Sequence, residues 1–492
     1  MAKQKRVIVI GAGIGGLTAG ALLAHRGYEV QIFDQAIAPG GCASTFKRRG
    51  FTFDVGATQV AGLEAGGIHH RIFTELGIEI PAATYCDPAC AVYLPNESEP
   101  INIWRDPQKW KAERQRQFPH SEPFWQFLND LFQPSWRFQS REPVLPPRSL
   151  WDLWQLIKAV RLDTLPTMPY TFSTVGDALR GFGLASDRRL RTFLDLQLKL
   201  YSQVNAEETA LLYAATSMAV SQAPLGLFHL KGSMQVLSDR LVEALERKGG
   251  KLFMQHSVEA IEPKQPPQVK VTNRRTGDTW WEPADCVVAN VTVQNLVKLL
   301  GSQAPTGYRN RVENLKPASG AFVVYLGVDR AAIPECCPPH LQFLDDYESS
   351  RSLFVSVSQE GDGRAPEGKA TIIASEFTDA KAWWECEDYE ALKQQFTDRA
   401  IAQLGKYFDL EGTILHVEAG TPRTFARYTA REQGFVGGIG MRVSTFGPFG
   451  FANRTPIQNV WLVGDSTHPG EGTAGVSYSA LTVVRQIQQA DR

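Results

Sequence analysis

The N-terminal segment limits the fold more than any other part of the chain. Lys5 to Ile10 ends in four consecutive β-branched residues, Val7-Ile8-Val9-Ile10, and reads as a strand buried on both faces. It runs straight into Gly11-Ala12-Gly13-Ile14-Gly15-Gly16, a G-x-G-x-x-G fingerprint on Gly11, Gly13 and Gly16. A helix rich in Ala and Leu is predicted from Leu17 to Arg26, stopped by Gly27. A second strand follows from Tyr28 to Phe33, with Asp34 at its end. The three glycines have distinct mechanical roles. Gly11 makes the tight turn, Gly13 lets the backbone approach a pyrophosphate, and Gly16 lets the helix pack on the strand. The helix N-terminus then offers free N–H groups and a positive dipole end to phosphates. Asp34 lies 18 residues beyond Gly16, the reach a carboxylate needs to accept a bond from a ribose hydroxyl. An acid there disfavours a cofactor with a 2′-phosphate, which calls for a basic partner. The chain therefore opens as a βαβ dinucleotide-binding unit, and an α/β fold follows.

Composition excludes other classes. A chain of 492 residues has room for roughly three domain-sized pieces. Its 51 Lys and Arg against 52 Asp and Glu leave no basic excess for a nucleic-acid binder. With 43% hydrophobic residues it can bury a sizeable core. Seven cysteines, an odd number without repeated ligand spacing, make neither a disulfide framework nor a metal site, and a reducing compartment is expected. Cys86-x-x-x-Cys90 lacks the second pair a zinc site needs. The apolar stretch after Arg6 is too short for a secretory signal, and no window is apolar enough for a membrane-spanning helix, so any membrane contact is expected to be peripheral. No nucleophile motif supports hydrolase chemistry.

Two further segments separate a flavin from a nicotinamide cofactor. Pro39-Gly40-Gly41-Cys42-Ala43-Ser44-Thr45 follows the acid-terminated strand and leads to Phe53-Asp54-Val55-Gly56-Ala57-Thr58. Near the far end, a strand predicted over Asn459 to Val463 opens into Gly464-Asp465, then Gly470, Gly472 and Gly475, and a helix from Val476 to Gln489. An acid at such a strand end can bond the ribityl or phosphate region of FAD, and the helix N-terminus can face the flavin pyrimidine edge, where negative charge collects on reduction. Together these segments resemble the FAD-dependent amine oxidase/phytoene desaturase superfamily. The middle agrees: Lys231-Gly232-Ser233-Met234 precedes a helix from Val236 to Lys248, a strand from Lys251 to Met254, and His256 to Ile261. The resemblance implies FAD bound by Gly11, Gly13, Gly16, Asp34, Gly40, Gly41, Gly56, Thr58, Val258 (through its backbone, to adenine), Gly464, Asp465, Gly475 and Val476. One departure stands out: the family usually has a basic residue just after the glycine pair, where this chain has Cys42. That feature, with Thr421 to Tyr428 and Gly437-Gly438, is similar to the carotenoid desaturase and isomerase branch, and within it to cyanobacterial carotenoid 3′,4′-desaturases of the myxoxanthophyll pathway.

The fold so implied is a Rossmann-type FAD-binding domain (residues 1–75, 225–300 and 455–492), a discontinuous mixed-sheet substrate domain (76–115 and 301–454) and a helical lid or membrane-facing subdomain (116–224). The implied reaction takes a hydride and a proton from a C40 carotenoid, with quinone or oxygen as final electron acceptor. A cis-trans isomerase, an amine oxidase and a redox-inactive prenyl-lipid carrier of the same fold are the alternatives. Moving a forty-carbon polyene through water costs on the order of tens of kcal/mol, so such an enzyme must meet its substrate at a membrane surface, here on the cytoplasmic side. Leu150, Leu153, Trp154, Ile157 and Val160 recur at helical spacing, with Asp152, Gln155 and Lys158 between them. The stripe fits either a core helix or one lying in a membrane interface beside Arg148, Lys158 and Arg161, and core is the commoner use. No side chain announces itself as a catalytic base. His468, between Asp465 and Glu471, is the one polar candidate near the ring. His69-His70 read as a polar helix start, Cys42 as a packing residue, and Cys336-Cys337 as a surface loop.

Overall fold

The computed structural model describes residues 4–348 and 351–491. Strand β1 (Arg6–Ile10), helix α1 (Ile14–His25) and strand β2 (Glu29–Asp34) form the expected opening unit. The helix starts three residues earlier than its apolar pattern suggested, because Gly15 and Gly16 lie inside its first turn. Gly16 has to be glycine: a Cβ there would stand 2.0 Å from the Gly11 carbonyl oxygen. Strand β1 is central in a five-stranded parallel sheet, ordered Lys251–Met254, β2, β1, Cys286–Ala289 and Val460–Leu462. The inner strands β1 and Cys286–Ala289, and Val460–Leu462, are buried and almost wholly apolar, whereas β2 alternates polar and apolar residues. The segments that build this one sheet lie more than four hundred residues apart in the chain. α1 packs on the C-terminal helix Thr473–Ala490, where Thr18 and Ser477 share a buried hydroxyl contact of 3.3 Å.

A seven-stranded mixed sheet runs Ile414–Gly420, Gly320–Asp329, Lys369–Thr378, Ser352–Val357, His340–Leu344, Ala91–Tyr93 and Ile101–Asn102. Its Gly320–Asp329, Ser352–Val357 and Lys369–Thr378 strands are mostly buried and rich in apolar residues. A buried ion network joins it to the first sheet's side of the molecule. Asp54 accepts from Arg364 at 3.0 and 3.1 Å and from the Met234 N–H at 2.8 Å, while Arg364 also reaches Asp362, His229 and the Leu230 carbonyl. Each charge has partners, as buried charges must. Asp54, noted in the sequence only as part of a motif, is thus a structural tie.

The helix Leu150–Ala159 overturns the core reading of its apolar stripe. Its polar side is the buried one: Asp152 is fully buried, bonded to Gln486 (3.1 Å), Arg454 (3.3 Å) and the Arg148 N–H (3.0 Å), and Gln155 accepts from Arg485 at 3.1 Å. Its apolar side faces out, with Leu150 at 87% exposure, Trp154 at 55% and Ile157 at 53%. His69 lies at the start of a helix, as expected, but does not face solvent. It is buried, and bonds the Ala61 carbonyl (2.9 Å) and Ser477 Oγ (3.1 Å), tying the helix Ile68–Leu76 to the C-terminal helix. Of the cysteine pair, Cys336 is exposed but Cys337 is buried against the seven-stranded sheet.

Candidate functional site

A single cavity of about 1760 Å³ gathers nearly every residue singled out in the sequence. Gly11, Gly13, Asp34, Gly40, Gly41, Gly56, Thr58, Val258, Gly464, Asp465, His468, Gly475 and Val476 all line it. Gly16 does not; it lies beneath the turn and acts through helix packing. The volume exceeds the roughly 300–1,000 Å³ of an ordinary small-molecule site, leaving room for a second ligand beside a dinucleotide. The two ends of the chain meet over Asn290, the residue after the strand Cys286–Ala289. A Cβ on Gly13 would lie 2.9 Å from Asn290 Nδ2, and one on Gly464 3.3 Å from Asn290 Oδ1.

The local chemistry fits a dinucleotide. α1 begins at Gly13 with no side-chain cap and no acid in its first turn, so its first N–H groups are left for an anion. The C-terminal helix begins the same way at Gly472, with Thr473 to Val476 on the cavity wall. Asp34 accepts from the Ala12 and Ala36 N–H groups, both at 2.7 Å, which fixes its carboxylate and leaves lone pairs for hydroxyl donors. Burial raises its pKa, opposed by those two N–H bonds. Donors in that position would favour the ionised form further.

A basic residue does lie on the cavity wall beside Asp465. Arg431 lines the cavity, pairs with Asp465 and donates to the Gly437 carbonyl at 2.6 Å. It lies 389 residues beyond Cys42. His468 is buried, donates from Nε2 to Gln139 Oε1 at 3.0 Å, and has its pKa pushed down to about 4 by burial, so it is neutral at ordinary pH.

Apolar side chains from residues 116–224 complete the wall, among them Trp136, Leu156, Leu200 and Leu212. Met168 and Phe172 line the cavity and are also 53% and 70% exposed, so it opens to the surface there. Leu150, Leu153, Trp154, Ile157, Leu162 and Leu165, earlier in the same stretch of chain, are exposed as well. So many large apolar side chains exposed within one stretch of chain are uncommon on a monomeric surface. Among the described residues no helix is long and apolar enough to cross a membrane.

Comparison with known proteins agrees with this geometry. The chain is 27% identical over 507 residues to a chloroplastic prolycopene isomerase of an Oncidium hybrid cultivar, covering 99% of this chain and 84% of that one. It is 26% identical over 514 residues to the zeta-carotene-forming phytoene desaturase of Myxococcus xanthus, covering 98% and 94%. Cyclohexylamine oxidase from Brevibacterium oxydans has the same fold, with a TM-score of 0.64 at 16% identity over 99% of this chain and 100% of that one. The family model for flavin-containing amine oxidoreductases matches residues 14–488. The chain thus belongs to the flavin-containing amine oxidoreductase family and is an FAD-dependent oxidoreductase.

Proposed function

We propose that this protein is a carotenoid desaturase that takes a hydride and a proton from adjacent carbons of a C40 carotenoid, acting at the 3′,4′ position in myxoxanthophyll-type biosynthesis. The observation that carries the reading is the continuity of one largely apolar cavity from the dinucleotide cradle to an exposed apolar stretch of chain. A long polyene fits that path; a small water-soluble amine needs neither the length nor the outlet. In this reading residues 1–75, 225–300 and 455–492 hold FAD, 76–115 and 301–454 hold the substrate, and 116–224 form the membrane-facing lid. The N–H groups after Gly13 take the pyrophosphate, Asp34 a ribose, the Val258 backbone the adenine, and Asp465 with Arg431 the ribityl-phosphate region. FAD, when bound, supplies the hydride acceptor, and a quinone or oxygen takes its electrons afterwards. The chain's own work is to hold the polyene in place and exclude water, where orientation counts most.

The stretch Leu150–Phe172 lies in the interface of a membrane on its cytoplasmic side, with Arg148, Lys158 and Arg161, all exposed, at headgroup depth. Carotenoid then moves from bilayer to cavity past Met168 and Phe172 without crossing water.

A cis-trans isomerase is the second reading, favoured by the prolycopene isomerases among the relatives. Expression in a bacterium that makes lycopene or a hydroxylated γ-carotene separates the two. A desaturase yields a product two hydrogens lighter with red-shifted absorption; a product of unchanged mass and altered geometry assigns the isomerase.

A further inference from the structure

One acid on the cavity wall has no part in the cradle. Glu471 lines the cavity, as does Gln203. Glu471 Oε2 accepts from Gln203 Nε2 at 2.9 Å. Its Oε1 is shut from solvent and has no hydrogen-bond partner among the described residues, and the same is true of Gln203 Oε1. Two buried acceptors without donors are costly, and a proton on Glu471 relieves the cost. Gln203 ends the helix Arg188–Ser202 with φ at 65°, in the left-handed region that side chains other than glycine rarely enter. Strain of that kind collects where a side chain must be aimed.

We propose that Glu471 accepts the proton lost in desaturation, with Gln203 as its positioning residue; this rests on the desaturase reading. One substrate carbon gives up a hydride, whose two electrons go to the bound flavin. The C–H bond on the adjacent carbon breaks, its electron pair becomes the new C=C bond, and its proton ends on Glu471 Oε1. The carotenoid is oxidised by two electrons, the flavin is reduced by two, and the carboxylate becomes a carboxylic acid.

The surroundings suit a proton acceptor. Burial pushes Glu471 up to about 8, with Asp465 acting the same way against the Gln203 amide, the Gly438 N–H and Arg431. Tyr213, from the helix Leu211–Ala219, also feels its charge and stays protonated, raised first by its own burial. His468, on the same loop, is neutral. Only the ionised carboxylate can take a proton, so turnover rises with pH and levels off above about 8. It is roughly fiftyfold slower at about pH 6 than at the midpoint.

The test compares wild type, Glu471→Gln and Glu471→Asp, each loaded with FAD and checked for flavin content. Wild type is expected to show that rising limb and an infrared band of a protonated carboxyl that fades with a midpoint near pH 8. Glu471→Gln is expected to lose both and to slow turnover about 10²–10⁴-fold, and Glu471→Asp to regain part of the rate. A desaturated product made as fast by Glu471→Gln, with the limb intact, overturns the assignment alone. A wild-type product of unchanged mass overturns the desaturase reading and this assignment with it.

Discussion

Purified Gly13→Val protein is expected to fold normally yet bind FAD roughly a hundredfold more weakly, a loss of about 2.7 kcal/mol. Gly13 is the N-cap of α1 and has an extended backbone (φ −72°, ψ 171°) that valine adopts without strain. The new Cβ comes within 2.9 Å of the end of the Asn290 side chain, which has to shift against its 3.3 Å bond to the Gly11 carbonyl. The two methyl groups then stand on the cavity wall where the unbonded N–H groups of α1 face their anion. Those charge-assisted bonds are each worth about 1.5–3 kcal/mol, and pushing the phosphate outward weakens several at once. Titration of flavin-free protein gives the dissociation constant, and circular dichroism checks the fold. An unchanged affinity would mean that the dinucleotide does not lie at α1.

The second large effect belongs to the exposed stretch. Leu153→Asp/Trp154→Asp/Ile157→Asp protein is expected to lose vesicle binding by roughly a thousandfold, about 4 kcal/mol, since each such side chain buried in lipid contributes about 1.5–3 kcal/mol. Stability and flavin content should hold, because these side chains are 43–55% exposed and the helix is anchored from its other side by Asp152 and Gln155. Flotation with anionic vesicles reads the result. A triple variant that still floats with the lipid would place the membrane contact elsewhere.

That helix also shows where sequence reasoning stops. Periodicity reveals that a helix has two unlike faces, but which one is buried depends on the partners. Here the partners are Arg454, Arg485 and Gln486, about three hundred residues further along, and they make the polar side the inner one. Local features were legible because their causes are local. The strand–turn–helix unit ending at Asp34 follows from β-branching and glycine geometry, and the strand Lys251–Met254 has the predicted bounds. The glycine and acid positions were legible as one site because the family motif joins distant segments, and the cavity does bring them together. Arg431 was not, for although it lies between the patterned segments Thr421 to Tyr428 and Gly437-Gly438, only the folded chain puts it beside Asp465. Glu471 was visible only as a letter next to a motif. Its burial and its bond to Gln203 come from packing between remote elements.

Anaerobic mixing of FAD-loaded protein with the carotenoid in vesicles bears most directly on the whole reading. The flavin absorbance should bleach in step with the appearance of a polyene two hydrogens lighter and absorbing further to the red, one double bond per flavin reduced. A flavin that stays oxidised while the carotenoid keeps its mass would contradict it.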